Sequence, residues 1–478
     1  MASVAYSGFN LSAMSKMMTY MAVVFLLLLV MAGLKTLFFR YQLYHDAIEI
    51  RRGVVFRKQL DMKFERIQNV IIQQAFYFRP LNLYTVKIDG AGSQGEEISL
   101  PALTREAANA IRQNIELSKR SQDQSLLAQG DDAAVDVSEG RTANHFVEEK
   151  FYTRSLSDLV IHGLSNNRAW IVLAGIYSLV QVTPISFSDI FDYLRGVAAT
   201  LISNESVAFL LVLFSLSIFL TVVLTAVLSV MGSIVTYYGF TLFRSPKTLT
   251  VHRGLLTKRE INMNKSRVQS IYLRQDWLDK ILHRGNVIFE QLSHGPHQAT
   301  GSDSGAKILV PSARDEEIHG LYSEVFSVDR VTELNFTPIS KRYFYKHAII
   351  WSVIYCVVSP VSFFVLGSLM AIPALAGLWL IHITALYLSW LKAGIVMSKE
   401  MVVIRSGVIG VDYVVFPAFK LQAVEHRQSL LMQRRDLSKM VFHTASRTAS
   451  ISYLPTQFVQ QLLDKCLYYV ESSDKSWM

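Results

Sequence analysis

The chain has 478 residues, 51% hydrophobic and 18% charged, with a formal net charge of +9 and a mean hydropathy of +0.28. An ordinary soluble domain has about a quarter of its residues charged, and here the apolar excess sits in a few long uncharged runs, so the soluble globular class is excluded in favour of a membrane protein. The two cysteines, Cys356 and Cys466, exclude a disulfide framework and a cysteine-type zinc site. The basic excess then reads as a positive-inside signature plus attraction to anionic lipid heads, and no nucleic-acid partner is expected.

In chain order, residues 1–39 are a tail and a first apolar run over 17–39, and a β-rich stretch ending in a helix follows over 40–118. Residues 119–168 read as a polar linker and an amphipathic segment. The region 169–237 holds a second span, diluted by Gln181 and Pro184, an outer loop and a third, uncharged span over 207–237. A second β-rich stretch fills 238–330, with a linker over 331–346. Spans four and five, 347–367 and 371–390, are nearly contiguous and predict a helical hairpin within 347–390; a third β-rich stretch closes the chain over 391–478. Arg40, Arg168, Arg244, Lys341 and Lys392 flank one side of these spans, against Lys16 and Arg195 on the other. The basic side is read as cytoplasmic, which puts the N-terminus outside and all three β-rich stretches inside.

Those stretches share a phrase: RIQNVIIQQ at 66–74, RVQSIYLRQ at 267–275 and KLQAVEHRQ at 420–428. Thirteen residues before each basic first position stands a glycine, Gly53, Gly254 or Gly407, inside a pattern of two short strands joined by a tight turn. Further strands end in an aliphatic residue before Pro101, Pro311 and Pro455, and each proline precedes a helix-start signal. The second copy is longer by a Gly/Ser/His-rich loop at 293–305, as suits a surface insertion.

This order of strand, glycine, strand, basic-aliphatic-Gln phrase, strands, proline and helix, with apolar spans in front, resembles the bacterial pleckstrin-homology-like membrane-flanked domain family. The segment SLSDLVIHGLSNNRAW (155–170) is similar to it as well. The resemblance implies an α+β protein, in which transmembrane helices alternate with three PH-like β-barrel domains, each closed by a C-terminal helix. It implies no catalytic residues. One departure stands out: a single span precedes the first copy, where the others have two.

For the phrase, a fold-specifying role is preferred over a ligand contact through Arg66, Arg267 or Lys420; Gln68, Gln269 and Gln422 are expected to satisfy backbone groups at a bend. Basic residues around the first hairpin, Arg51, Arg52, Arg57 and Lys58 in copy one and Arg253, Lys258 and Arg259 in copy two, are the candidate contacts to anionic lipid. The plainer reading is a solvated face beside an anionic bilayer, worth about 1 kcal/mol per basic residue. Copy three has few such residues, which argues against a headgroup pocket in every copy. No phosphate loop, HExxH or nucleophile elbow occurs, so no catalytic, cofactor or metal residue is assigned. The pair His294 and His297 is read as adventitious, and His382, inside the fifth span, as hydrogen-bonded to a neighbouring helix. The expected role is non-catalytic: lipid or protein binding and scaffolding at the cytoplasmic face of the inner membrane, in envelope maintenance or stress resistance. The alternative is a regulatory or structural part of a transport or channel assembly.

Overall fold

The computed structural model describes residues 11–44, 46–54, 56–64, 67–90, 98–128, 149–166, 207–291, 307–326, 330–366 and 371–473. These fall into two compact units, one of 1–70 with 82–140 and one of 71–81 with 141–478. The expected second span, the inserted loop with its two histidines, and Arg66 lie outside the described residues.

In the first unit, α1 (Leu11–Leu37) is apolar on every side yet exposed from Met18 to Val30. A helix of that kind needs an apolar surround. The strands β1 (Arg40–Leu43), β2 (Ala47–Arg52) and β3 (Lys58–Lys63) form an antiparallel meander. The next strand, β4 (Ile67–Ala75), starts in this unit, and β5 (Leu83–Gly90) and β6 (Ile98–Thr104) form a hairpin. Helix α2 (Arg105–Ala128) packs on that hairpin through Ala108, Ile111 and Ile115, and continues past the expected boundary at 118.

In the second unit, β7 (Glu149–Thr153) leads into α3 (Leu156–Ser165), and α4 (Val207–Tyr237) enters the second copy. That copy has β8 (Thr241–Arg244), β9 (Thr248–Arg253) and β10 (Thr257–Asn264), with β7 added beside β8. Then follow β11 (Ser270–Gln275), α5 (Trp277–Ile281), β12 (Arg284–Glu290), β13 (Lys307–Arg314) and α6 (Asp315–Ser323). A short β14 (Thr337–Pro338) precedes the hairpin of α7 (Arg342–Leu366) and α8 (Ala371–Lys392). Trp379 Nε1 donates to Ser352 Oγ across this hairpin at 3.0 Å, and the His382 ring stacks on Trp351 at 4.4 Å. The third copy has β15 (Gly394–Ser398), β16 (Met401–Ser406), β17 (Val411–Pro417), β18 (Leu421–Arg427), α9 (Leu430–Gln433), β19 (Leu437–Thr444), β20 (Thr448–Pro455) and α10 (Thr456–Ser472). Within α1, α4, α7 and α8 lie four segments long and apolar enough to cross a membrane.

Among the described residues the expected closed barrels are not formed. In the first two copies the strand that carries the phrase pairs with the next copy, not with its own first meander. Strand β11 runs antiparallel to β17, giving one sheet in the order β13-β12-β11-β17-β16-β15-β14. Likewise Ile71–Ala75 pair with Thr257–Ile261. Both joints have the same register. Ile71, 18 residues past Gly53, faces Ile261, 7 past Gly254; Ile271, 17 past Gly254, faces Val415, 8 past Gly407. The two offsets total 25 in each case.

A copy is therefore two three-stranded halves facing each other across a core, with an edge committed to its neighbour. Strands β16 and β17 are covered on both faces. Val402, Ile404, Val414 and Phe416 enter the third copy's core with Met440, Phe442 and Leu462, whereas Met401, Val403, Tyr413 and Val415 pack with Phe289, Leu321 and Tyr322 of the second. Two-sided burial explains why these strands read as continuous apolar runs, not as an alternation.

Candidate functional site

The repeat glycines sit where no other residue fits. Gly53, Gly254 and Gly407 have φ of 120°, 112° and 139°, and a Cβ at Gly254 would lie 2.0 Å from the Thr257 carbonyl oxygen. Each makes the turn between the second and third strands. In the second copy that turn is fastened to α4: Gly254 N donates to Tyr238 O at 2.9 Å and Leu255 N to Val235 O at 3.0 Å. These bonds satisfy carbonyls that the end of a helix leaves open. In the third copy a side chain does the fastening. Lys392 Nζ, at the end of α8, donates to the carbonyls of Val408, Ile409 and Gly410 at 2.5, 2.6 and 3.0 Å, and Arg405 Nε donates to Lys392 O at 2.7 Å. Two turns are thus held by different chemistry at the ends of two helices of membrane-crossing length.

The tips of these turns are apolar and exposed: Leu255 and Leu256 in one, Val408 and Ile409 (65% exposed) in the other. The joints add a second apolar element beside each. Arg79 donates from Nη2 to Leu255 O, and to Leu256 O at 3.3 Å, which holds exposed Phe76 and Tyr77 next to that turn. A Cβ on Gly410 would lie 2.3 Å from Gln275 O, so the third copy's turn abuts the start of α5, where Trp277 and Ile281 are exposed. The matching position in the third copy holds Leu430, 80% exposed, followed by Leu431. Phe76, Trp277 and Leu430 each lie 23 residues past their glycine. That recurrence was the available sequence signal, but an apolar residue in a short helix reads as core until its exposure is known. Basic Lys258 and Lys280 are exposed nearby. Aromatic and aliphatic tips interleaved with lysine have the composition of interfacial anchors.

The phrase residues serve the joints. Lys420 is 4% exposed and donates from Nζ to Ser266 O at 2.5 Å and Val268 O at 2.7 Å, on either side of the second copy's Arg267. Burial pushes its ammonium down to about 8. Arg267 is half-buried. Gln269 is buried, and its backbone N–H donates to Glu290 O at 2.8 Å; Gln422 is exposed, and Gln68 lies in β4. The last glutamine of the phrase ties strands together in the second and third copies. Gln275 Nε2 donates to Arg284 O and Gln428 Nε2 to Leu437 O, each at 3.0 Å and at equivalent positions.

The prolines differ from their sequence alignment. The bulge before the terminal helix has positive φ at Ala102, Ser312 and Tyr453, each three residues before the first helical residue. Pro101 and Pro311 are equivalent there, but Pro455 stands immediately before α10 and matches neither. Among the candidate lipid contacts, Arg253 drops out: it is 4% exposed, with its guanidinium 4.9 Å from the Tyr237 ring centroid. Arg51 is exposed but lies 2.6 Å from Glu49. Arg52, Arg57, Lys58 and Lys258 are exposed and Arg259 is half-buried. Among the described residues no group of three His, Cys, Asp or Glu is placed to hold a metal ion.

A family model for the bacterial PH domain matches the chain three times, over residues 4–119, 196–322 and 356–470, which together exceed half of its length. No curated protein matches it.

Proposed function

Because the chain belongs to the bacterial PH domain family, whose domains are typically non-catalytic binding modules, we propose that it is an integral membrane protein that rests its PH-like copies on one leaflet. The four apolar helices and the second span expected within 169–187 cross the inner membrane, five crossings that leave the N-terminus outside and all three copies on the cytoplasmic face. The exposed tips at Leu255–Leu256, Trp277, Val408–Ile409 and Leu430–Leu431 enter the headgroup layer, while Lys258 and Lys280 meet anionic heads. Protein partners then assemble on the faces turned away from the lipid.

One observation carries this reading: the turns bearing the apolar tips are bonded to the ends of α4 and α8, through Tyr238 and Val235 in one case and Lys392 in the other. If those helices cross the bilayer, the tips have no other level at which to lie. Magnitudes favour the apolar part. A Leu, Ile or Trp leaving water contributes roughly 1.5–3 kcal/mol at full burial, against about 1 kcal/mol per basic residue near the surface. Contact is therefore expected to persist at high salt.

Spin labels at Leu256, Ile409 and Leu431 of the full chain in lipid nanodiscs test this, with a label at Glu471 as reference. The first three are expected to be accessible to oxygen and shielded from a water-soluble nickel reagent, and the fourth the reverse. Equal aqueous exposure at all four positions sinks the proposal.

A further inference from the structure

The edge-to-edge joint is made twice in the chain, and its two halves are left over once. In each joint the strand that carries the phrase pairs with the next copy's third strand in one register. The third copy's phrase strand is β18, which pairs only with β19 among the described strands and ends the sheet β18-β19-β20. The first copy's third strand is β3, which among the described strands pairs only with β2 and ends the sheet β1-β2-β3. These are the two complementary halves of one further joint. We propose that β18 of one chain pairs antiparallel with β3 of a second copy of this chain, so that the protein assembles head to tail.

The register follows from the two joints already present. Keeping the offsets at 25 puts Val424 opposite Asp61, Glu425 opposite Leu60 and His426 opposite Gln59. Charged side chains on an outer strand ordinarily guard against such pairing, and β3 and β18 both carry them. The existing joints show that charge at these positions does not prevent it. Lys258 and Arg259 lie opposite Gln74 and Gln73 in one joint, and Arg274 lies opposite Asp412 in the other. In the new joint Glu425 stands diagonal to the residue-58 position, within reach of the lysine there. An unlike pairing of this kind is heterologous. It gives a ring where the rotation closes and an open row where it does not, and either is consistent with chains lying in one membrane plane.

The joint is tested by disulfide trapping in native membranes, on the full chain with Cys356→Ser and Cys466→Ala. Two differently tagged chains are co-expressed, one carrying Gln59→Cys and the other His426→Cys. Directly opposite residues lie within disulfide reach and those two apart do not. A product bearing both tags is expected, falling about tenfold or more when His426→Cys is replaced by Val424→Cys, a displacement of two residues. The pair Leu60→Cys with Glu425→Cys reads the same register should either of the first substitutions fail to fold. Failure of both pairs to give a mixed product overturns the proposal. So do equal yields at the displaced position, or trapping only between two His426→Cys chains, which would mean a symmetric contact. Spin-label depth is blind to this joint, so the result stands apart from that of the membrane reading.

Discussion

Lys420 shows what one residue of the repeated phrase contributes. An ammonium carried into an apolar joint loses its hydration, and the carbonyls of Ser266 and Val268 replace only part of it. Its pKa falls from 10.5 to about 8, below the unfolded value. Between those limits the unfolded chain binds more protons than the folded one, so this group adds stability as pH rises through 8 and has given its full increment above 10.5. A shift of this size corresponds to roughly 3 kcal/mol. Unfolding measured at pH 7.5 and at pH 10 is therefore expected to show the native chain gaining on a Lys420→Met variant at the higher pH. Parallel behaviour of the two would remove Lys420 from the account. Legibility at this scale was uneven. The glycines could be read from a turn pattern, because positive φ admits little else. The roles of the middle and last glutamines could not, since Gln269 and Gln275 have the same chemistry and differ only in where the strand aims them.

Among the elements, α3 is the bracket between α4 and the second copy. Ser233 Oγ and Ser229 Oγ of α4 donate to Leu159 O and Gly163 O, at 2.8 and 2.6 Å. Gly163 permits that approach: a Cβ there would lie 2.6 Å from Val230 Cα. On the other side Arg284 Nη1 donates to Asp158 Oδ1 at 2.5 Å, and His162 Nδ1 meets Asn286 Oδ1 at 2.7 Å. An amide oxygen only accepts, so that imidazole nitrogen carries a proton. Burial would raise the Asp158 carboxyl, but the hydrogen bonds from Arg284 and Ser155 outweigh it and hold the group below the usual range. Removing one partner of a buried pair costs about 3 kcal/mol. Arg284→Met is expected to speed amide exchange in Leu156–Ser165 and in the last turns of α4, while the third copy's β19 keeps its protection. Unchanged exchange in α3 would show that the helix is held by its apolar face alone. The sequence placed an amphipathic segment here but not its task, because the partners Arg284 and Asn286 lie more than a hundred residues away.

For the whole molecule, the consequence of shared sheets is that copies are not independent. The repeat was plain in the sequence, and repeats suggest beads that fold one by one. The pairing partners of β11 and β17 were invisible, because a strand's edge leaves no mark on its pattern. Only the unbroken apolar run through Met401–Ile404 hinted at a strand covered on both faces. Cutting the chain before the third copy would bare Met401, Val403, Tyr413 and Val415 together with the β17 edge. Four such side chains returned to water cost roughly 6–12 kcal/mol at full exposure, as much as the whole stability of a typical domain. A fragment of 391–473 is therefore expected to aggregate, or to lack dispersed amide signals in solution. The full chain should unfold its second and third copies in one transition, as a common core over both requires. Substituting polar residues on that face alone, as in Val403→Thr with Val415→Thr, should improve the fragment's solubility without giving it a cooperative transition, because the β17 edge stays open. A well-folded, monomeric 391–473 with a sharp melt would mean that the third copy's own core suffices, and that the joint through β11 and β17 contributes little to holding it together.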